Sequence, residues 1–313
     1  MTRTDPSRLT IVIPARNESR RLATLFGSLK QLERGAAEVD WILVDHLSED
    51  ATAEVATAQG ARVVRADGPT VASARNVGVQ ASDTEFLAFL DADCLPPQDW
   101  CTIALQLFQE QPKLGAVGAR YVPPQSASFL EQVWELDAAQ RESSSGYLPT
   151  GGMLLRRAAF DAAGGFTESL QTGEDADLSD KIRAAGWEIV SDPRLAVTHA
   201  GSPTTLGQLF RQQIWHAQGS RLLYHGRISP IHLFSLTWLP GLLIGLALAW
   251  WQHSVWLSLV AIVWGLLPPF AVSLKRGWLK QRGWGRRAYL MLASSAYLAG
   301  RTVGRLTSAG RWR

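Results

Sequence analysis

The chain has 313 residues, 46% apolar and 19% charged, with two cysteines, which excludes a disordered protein, a collagen-like fibre and a disulfide-stapled miniature scaffold. Its formal charge of +3 conceals an asymmetry: all 28 acidic residues lie at or before Asp192 against 17 of the 31 basic ones, so residues 1–192 carry −11 and residues 193–313 carry +14. A basic half of this kind meets a polyanion, either nucleic acid or an anionic membrane surface, and its neighbouring residues choose between them.

Met1-Thr2-Arg3-Thr4-Asp5-Pro6 has no apolar core, so no signal peptide is expected at the start. Leu9–Ile13 is a β-branched run ending at Pro14 and reads as a strand. Arg20–Leu32 repeats Leu22, Leu25, Phe26, Leu29 and Leu32 at helical spacing. Further strands are predicted at Trp41–Val44, Ala61–Val64 and Phe86–Leu90, with helices at Ala51–Gln59 and Val71–Gln80 between them. Continuous apolar strands alternating with helices imply an α/β, Rossmann-like fold, a mainly parallel sheet covered on both faces. Ligands of such sheets bind beyond the carboxyl ends of the strands.

Three strands run there into acid-bearing loops: Pro14-Ala15-Arg16-Asn17-Glu18, Asp45-His46-Leu47-Ser48-Glu49-Asp50, and Asp91-Ala92-Asp93. Asn17 or Asp45 alone reads as a helix cap, whereas three such loops on one edge read as a site. Asp91 and Asp93, one residue apart in an extended segment, project to the same side and repel unless a cation joins them, which suits Mg²⁺ or Mn²⁺. Gly151-Gly152 before Met153-Leu154-Leu155 permits close backbone approach. Glu174, Asp175 and Asp177 open a helix that carries Lys181 and Arg183, where they favour the helix dipole; a carboxylate so placed can also act as a base. Cys94 and Cys101 lack metal-ligand spacing and read as reduced thiols of no special function.

Leu209–Leu223, with Phe210, Gln212, Gln213, Trp215 and Arg221, reads as an amphipathic helix resting on a membrane. Ile228–Leu274 contains no Lys, Arg, Asp or Glu and is broken by Gln252-His253-Ser254. Its halves, about 231–251 and 255–274, each approach the ~20 residues needed to cross ~30 Å of hydrocarbon, so a transmembrane hairpin is predicted. Eight of the 13 Trp follow residue 230, with Trp238, Trp250, Trp251, Trp256 and Trp278 expected in the headgroup layer. Lys275, Arg276, Lys280, Arg282, Arg286 and Arg287 crowd the basic loop 275–287, while the connection at Gln252-His253-Ser254 has no Lys or Arg. The positive-inside rule then puts the basic loop and the acidic N-terminal half in the cytoplasm, at the inner membrane of a multi-pass protein. Residues 288–306 read either as an interfacial helix or as a third membrane helix. The basic residues thus meet lipid and not nucleic acid. The expected division is 1–225 cytoplasmic and 226–313 membrane.

Six motifs occur in order: Ile-Pro-Ala-Arg-Asn-Glu at 13–18, Val-Asp-x-x-Ser-x-Asp at 44–50, Ala-Arg-Asn-x-Gly at 74–78, Asp-Ala-Asp at 91–93, Gly-Gly-Phe at 164–166 and Gly-Glu-Asp-x-Asp-Leu at 173–178. Together they resemble the family 2 glycosyltransferases of GT-A fold over residues 8 to 220. The resemblance implies inverting transfer of a sugar from a nucleotide diphosphate sugar to an acceptor hydroxyl. It implies that Pro14, Asn17, Glu18 and Asp45 line the nucleotide pocket, that Arg75 lies near the nucleotide or diphosphate, and that Asp91 meets the ribose or donor sugar, with Gly152 close by. Asp93, with Asp91 and His199, would hold the metal, and Asp175 beside Glu174 would be the catalytic base. His199 reads equally as an ordinary histidine at a strand end. His46 departs from the family, many of whose members carry a second Asp there that reads the base, so the nucleotide is left open. The stretch Arg211-Gln212-Gln213-Ile214-Trp215 matches the Gln- and Trp-bearing motif of processive members poorly, and a single hairpin offers no evident polymer channel; a non-processive enzyme with a lipid or lipid-linked acceptor is expected. The competing expectation is a catalytically inactive, membrane-tethered scaffold.

Overall fold

The computed structural model describes residues 8–33, 38–135, 146–219, 223–224, 227–228 and 230–308. The chain forms two compact units, Met1–Pro124 with Ala138–Gly201, and Gln125–Asp137 with Ser202–Arg313. The anticipated boundary at 225/226 falls on residues outside those described. Packing changes hands earlier, at 201/202, and residues 125–137 are grouped with the C-terminal helices.

The first unit runs β1 (Arg8–Ala15), α1 (Ser19–Lys30), β2 (Glu38–Asp45), α2 (Thr52–Ala58), β3 (Arg62–Arg65), α3 (Val71–Gln80), β4 (Phe86–Leu90), β5 (Cys94–Leu95), α4 (Trp100–Glu110) and β6 (Leu114–Gly118). After α5 (Phe129–Trp134), which belongs to the second unit, come β7 (Gly152–Arg156), α6 (Arg157–Ala162), α7 (Glu174–Ala184), β8 (Glu188–Ser191) and β9 (Thr198–His199). Seven strands form one sheet in the order β3-β2-β1-β4-β7-β6-β8; β7 runs antiparallel to β4 and β6, and the other pairings are parallel. β5 and β9 form a separate antiparallel pair.

Alternation along β1 explains the two-sided core. Leu9, Ile11 and Ile13 join Leu22, Phe26, Trp100 and Phe108 on one face, while Val12 joins Val44, Phe89, Phe160 and Phe166 on the other. Every residue of β4 is buried, as its wholly apolar sequence requires. Pro14 is tolerated inside the central β1 because pairing with β4 ends at Val12↔Phe89. The Ala15 carbonyl accepts from the His46 N–H on the β2 side, so Pro14 nitrogen faces the opposite side, where the ladder has stopped. The elements anticipated at Val71–Gln80 and Phe86–Leu90 have those bounds.

The segment Asp91–Asp93 departs from expectation. It is a turn and not an extended strand, closed by the Cys94 N–H donating to the Asp91 carbonyl at 3.0 Å. The period-two argument therefore fails there, and the two carboxylates have different partners.

The second unit contains α5, α8 (Leu206–Gly219), a short β10–β11 pair (Leu223–Tyr224 and Arg227–Ile228), α9 (Pro230–Trp251), α10 (Val255–Lys275) and α11 (Trp284–Ser308). Helix α8 realises the amphipathic helix anticipated over Leu209–Leu223, and Arg221 lies outside the described residues. Helices α9 and α10 form the anticipated apolar hairpin. Both are long and apolar enough to cross a membrane, and only 17% and 22% of their most apolar stretches are buried within the protein. The polar connection between them turns at His253, whose φ is 46°, with Ser254 capping α10 through the Leu257 N–H.

Small residues bring the hairpin helices close, Gly245 facing Ala261 and Gly241 facing the Trp264 indole. Pro269 has no N–H to offer the Gly265 carbonyl four residues earlier, and the Trp238 indole donates to that carbonyl at 2.9 Å. Trp238 is thus buried within the protein, whereas Trp250, Trp251 and Trp256 stand exposed at the tip of the hairpin. Helix α11 is one 25-residue helix, longer at both ends than the anticipated 288–306. Gly300 and Gly304 pack against the backbone of α8 at Phe210 and Ile214, and Arg301 donates to the buried Gln213 at 3.1 Å. Leu130, Val133 and Trp134 of α5 share a core with Leu209, Trp238, Val272 and Leu290, which explains why this segment goes with the C-terminal helices.

Candidate active site

The loops after β1 and β2 are stitched to each other. Asn17 lies in the left-handed region (φ 58°), where an Asn is better tolerated than most residues, and its side-chain oxygen accepts from the Glu49 N–H at 2.8 Å. In return Ser48 accepts from the Asn17 N–H, and Thr52 from the Glu18 N–H. Asp45 accepts from the Ser48 N–H at 3.1 Å, and Asp50 from Ser19 and Thr52, whose hydrogen bonds hold its carboxyl down at about 2. Neither Asn17 nor Asp45 caps the helix that follows it; both shape the loop pair beside Pro14. Glu18 is held by Arg21 at 2.7 Å. His46 Nε2 is 2.5 Å from the Gly68 carbonyl.

Next to this edge, one buried guanidinium joins two distant loops. Arg75, on α3, donates to Asp91 at 2.7 Å and to Glu174, at the start of α7, at 2.9 Å. Burial disfavours its charge, but the two carboxylates reverse this and keep it fully protonated. Arg75 is thereby committed to positioning carboxylates. Gly173, with φ 82°, lets the chain turn into α7 so that Glu174 reaches Arg75 and Asp175 comes next to it. The Asp175 carboxyl is pushed up to about 7, first by burial and then by the charge of Glu174, against the pull of the Ala176 N–H and of Arg75.

The β5–β9 pairing sets Cys94 opposite His199 and so brings Asp93 to the imidazole, Oδ2 to Nε2 at 3.5 Å. Burial acts to raise the Asp93 carboxyl, but the hydrogen bond and charge of His199, with Arg21 farther off, hold it below the ordinary carboxylate range. Ligand atoms of Asp93, Cys94 and His199 lie within 4.8 Å of one another. Burial, then Asp91 and Asp93, drive the Cys94 thiol pKa well up, so Cys94 stays a thiol and Asp93 with His199 are the two side chains that could ligate an ion. This O,N pair fits Mn²⁺ or Mg²⁺ better than a thiophilic ion. The space beside it is kept by Gly201, where a Cβ would collide with Asp93 Oδ2 and lie 3.1 Å from His199 Nε2. Asp91, anticipated as a second ligand, gives its Oδ1 to Arg75 and turns its Oδ2 toward Gly151.

Of the glycine pair, Gly152 faces Val197 in the core, and Gly151 makes the close approach: a Cβ there would lie 2.5 Å from both Asp91 Oδ2 and the Tyr121 hydroxyl. Of the close approach expected of the pair, the part beside Asp91 is made by Gly151, since alternation along the chain turns Gly152 into the sheet. Tyr121 and Gly201 went unrecognised in the sequence. Gly201, two residues after His199, carried a faint signal; Tyr121, stacked on the His199 ring at 4.7 Å and 18°, carried none.

A family model described as Glycosyl transferase family 2 matches residues 10–167, spanning all of these loops except those of α7 and β9. The chain belongs to glycosyltransferase family 2. It is 31% identical over 202 residues to a pre-mycofactocin glycosyltransferase of Mycobacterium tuberculosis, a match covering 61% of this chain and 42% of that one. It is 26% identical to a beta-monoglucosyldiacylglycerol synthase of Trichormus variabilis, over 67% of this chain and 48% of that one. The chain thus spans under half the length of these two relatives. Among solved structures, a mannosyltransferase of Pyrobaculum calidifontis in complex with GDP-Man and Mn²⁺ superposes with a TM-score of 0.62 at 19% identity, covering 97% of this chain and 88% of that one. At that identity the likeness speaks for the fold, which is the GT-A fold anticipated.

Proposed function

We propose that this family 2 chain transfers a sugar, with inversion, from a nucleotide diphosphate sugar to a hydroxyl of a membrane-associated lipid or lipid-linked acceptor, and does so non-processively. The observation that carries the reading is the Arg75 bridge: it draws Asp91 and Glu174 together and leaves Asp175, the next residue, as a carboxyl with no ion pair of its own among the described residues. A carboxyl near 7 is well matched to take a proton from an acceptor hydroxyl at neutral pH. Attack from the side of Asp175 on the anomeric carbon, opposite the diphosphate, inverts the configuration. Asp93 and His199 would hold Mg²⁺ or Mn²⁺, which when bound supplies positive charge for the departing diphosphate. Pro14, Asn17, Glu18 and Asp45 would bound the nucleotide pocket through the stitched loops, with Asp91 on the ribose or donor sugar.

The hairpin α9–α10 would cross the inner membrane with the GT-A unit on the cytoplasmic side, consistent with its apolar exposed surface and the basic loop after it. The relative from Trichormus variabilis, named as a beta-monoglucosyldiacylglycerol synthase, supports a lipid acceptor. The test is donor hydrolysis by the detergent-solubilised protein with Mn²⁺ or Mg²⁺, together with mass spectrometry of lipids from cells with and without the gene. Turnover lost in Asp93→Ala and Asp175→Asn, with cooperative melting retained, supports the reading. Absence of turnover with every nucleotide sugar, and an unchanged lipid profile, would favour the inactive scaffold.

A further inference from the structure

Tyr121 belongs to no regular element, yet its position is fixed from three directions. Its neighbour Val122 exchanges backbone hydrogen bonds with Val197 and His199 at 2.9 Å, the ring stacks on the His199 imidazole at 4.7 Å, and its hydroxyl oxygen accepts from the Gly151 N–H at 3.0 Å. A phenol that accepts one hydrogen bond still has its own proton to donate. Among the described residues that proton has no acceptor. The Asp91 carboxylate is close by: both its Oδ2 and the Tyr121 oxygen would stand 2.5 Å from a Cβ on Gly151, so only the absence of a side chain there lets the two oxygens gather beside its backbone. Asp91, then Cys94 and Asp175, act electrostatically on the phenol, so it lies within reach of the Arg75 cluster and of Asp175. Asp91 in turn is engaged by Arg75 through Oδ1.

We propose that Tyr121 is a donor-contacting residue whose hydroxyl gives a hydrogen bond to a hydroxyl of the sugar being transferred, beside Asp91. This deepens the proposed function and rests on it. The geometry selects the sugar over the nucleotide. The stitched loops after β1 and β2 lie at other strand ends, whereas Tyr121 lies on His199, one of the two side chains that would hold the diphosphate's ion, beside Asp91 and within electrostatic reach of Asp175, where a sugar leaving a diphosphate for an acceptor would sit. The ring has a second, passive part: its stack keeps the imidazole plane of His199 in place, as the outer partners of ligating histidines commonly do.

The two parts separate experimentally. Tyr121→Phe keeps the ring and loses only the hydroxyl; Tyr121→Ala loses both. Binding is measured by calorimetry in Mn²⁺ on the full detergent-solubilised chain, with UDP, UDP-glucose, GDP and GDP-mannose as probes, and Mn²⁺ binding by the loss of its free electron paramagnetic resonance signal. The expected result is that Tyr121→Phe weakens the nucleotide sugar that wild type binds by about tenfold, the worth of one net hydrogen bond. It leaves the matching nucleotide diphosphate and Mn²⁺ binding unchanged, whereas Tyr121→Ala also weakens Mn²⁺. With donors lacking one sugar hydroxyl at a time, the loss caused by Tyr121→Phe disappears for a single position. Equal binding of the nucleotide sugar by wild type and Tyr121→Phe overturns the proposal, and so does an equal loss for nucleotide diphosphate and nucleotide sugar, which would assign the hydroxyl to Asp91 or the diphosphate. Wild type that binds no nucleotide sugar, with UDP-N-acetylglucosamine and the other common donors tried in the same way, overturns the proposed function itself and this proposal with it.

Discussion

The raised carboxyl of Asp175 makes the most demanding prediction. With its pKa at about 7, where a free aspartic acid has 3.8, it should set activity on the acid side as the proposed base. About a tenth of the molecules carry the carboxylate at pH 6 and about nine-tenths at pH 8, so kcat/KM for donor turnover should rise about tenfold per unit up to pH 7 and then level. Glu174→Gln removes the second cause of the shift and frees Arg75 to attract Asp175 more strongly. Both changes act in one direction, so the acid limb should move below 7, stopping short of the ordinary range because burial, the first cause, remains. Stability follows the opposite sign. A raised carboxyl binds its proton more tightly folded than unfolded, so between about pH 4 and pH 7 the native state holds the extra proton and stability falls as pH rises. Asp175→Asn cannot ionise and should escape that loss, melting above wild type at pH 8 by a few kcal/mol, level with it near pH 4, and showing no turnover. Initial rates from pH 5 to 9 and melting curves over the same range read both effects. A wild-type acid limb near pH 4, an upward limb in Glu174→Gln, or an Asp175→Asn protein no more stable at pH 8 than wild type would refute the account.

Other substitutions probe the rest of the structure. Arg75→Met leaves Asp91 and Glu174 facing each other without their cation and should cost about 3–5 kcal/mol by thermal melting at pH 8, part of it recovered by adding Glu174→Gln; a single mutant that melts with wild type would contradict the bridge. Gly201→Ala puts a methyl group on Asp93 Oδ2 and should weaken Mn²⁺, read by electron paramagnetic resonance, without loss of secondary structure by circular dichroism; unchanged Mn²⁺ binding would take the ion away from Asp93. Gly300→Leu drives a side chain into the α8 backbone at Phe210 and should cost about 1–3 kcal/mol or more in melting, whereas Gly207→Ala, on open space, should be neutral or stabilising. Asn17→Ala loses the latch to Glu49 and the tolerated left-handed backbone, Asn17→Gly only the latch, so the glycine variant should melt the higher of the two.

The strands and helices of the first unit were legible because their residues face apolar surroundings on predictable periods. Phe86–Leu90 is buried on both faces and reads as a continuous apolar run, and Val71–Gln80 shows its cap, Thr70, which accepts from the Ser73 N–H. The acid-bearing loops at the strand ends were legible too, since the parallel sheet sends them to one edge. Their internal geometry was not. Asp91-Ala92-Asp93 looks like a strand continuing, and only the turn closed by Cys94 sends Asp91 to Arg75 and Asp93 to His199. Trp238 shows the same limit in the hairpin: its apolar context marked a membrane helix, but the orphan carbonyl that captures its indole depends on Pro269 of another helix.

The sequence by itself determined the alternating strands and helices up to Leu90, the edge of the sheet where polar loops gather, and the two apolar helices, because these follow from periodicity and burial acting along one stretch of chain. Tertiary structure alone decided that one guanidinium would serve two carboxylates, 16 and 99 residues along the chain from it, that Tyr121 would lie on His199, and that glycines at 151 and 201 would stand against acids. Such relations join segments with no shared period, and a side chain's charge, proton and free space are set by whichever neighbours the fold delivers.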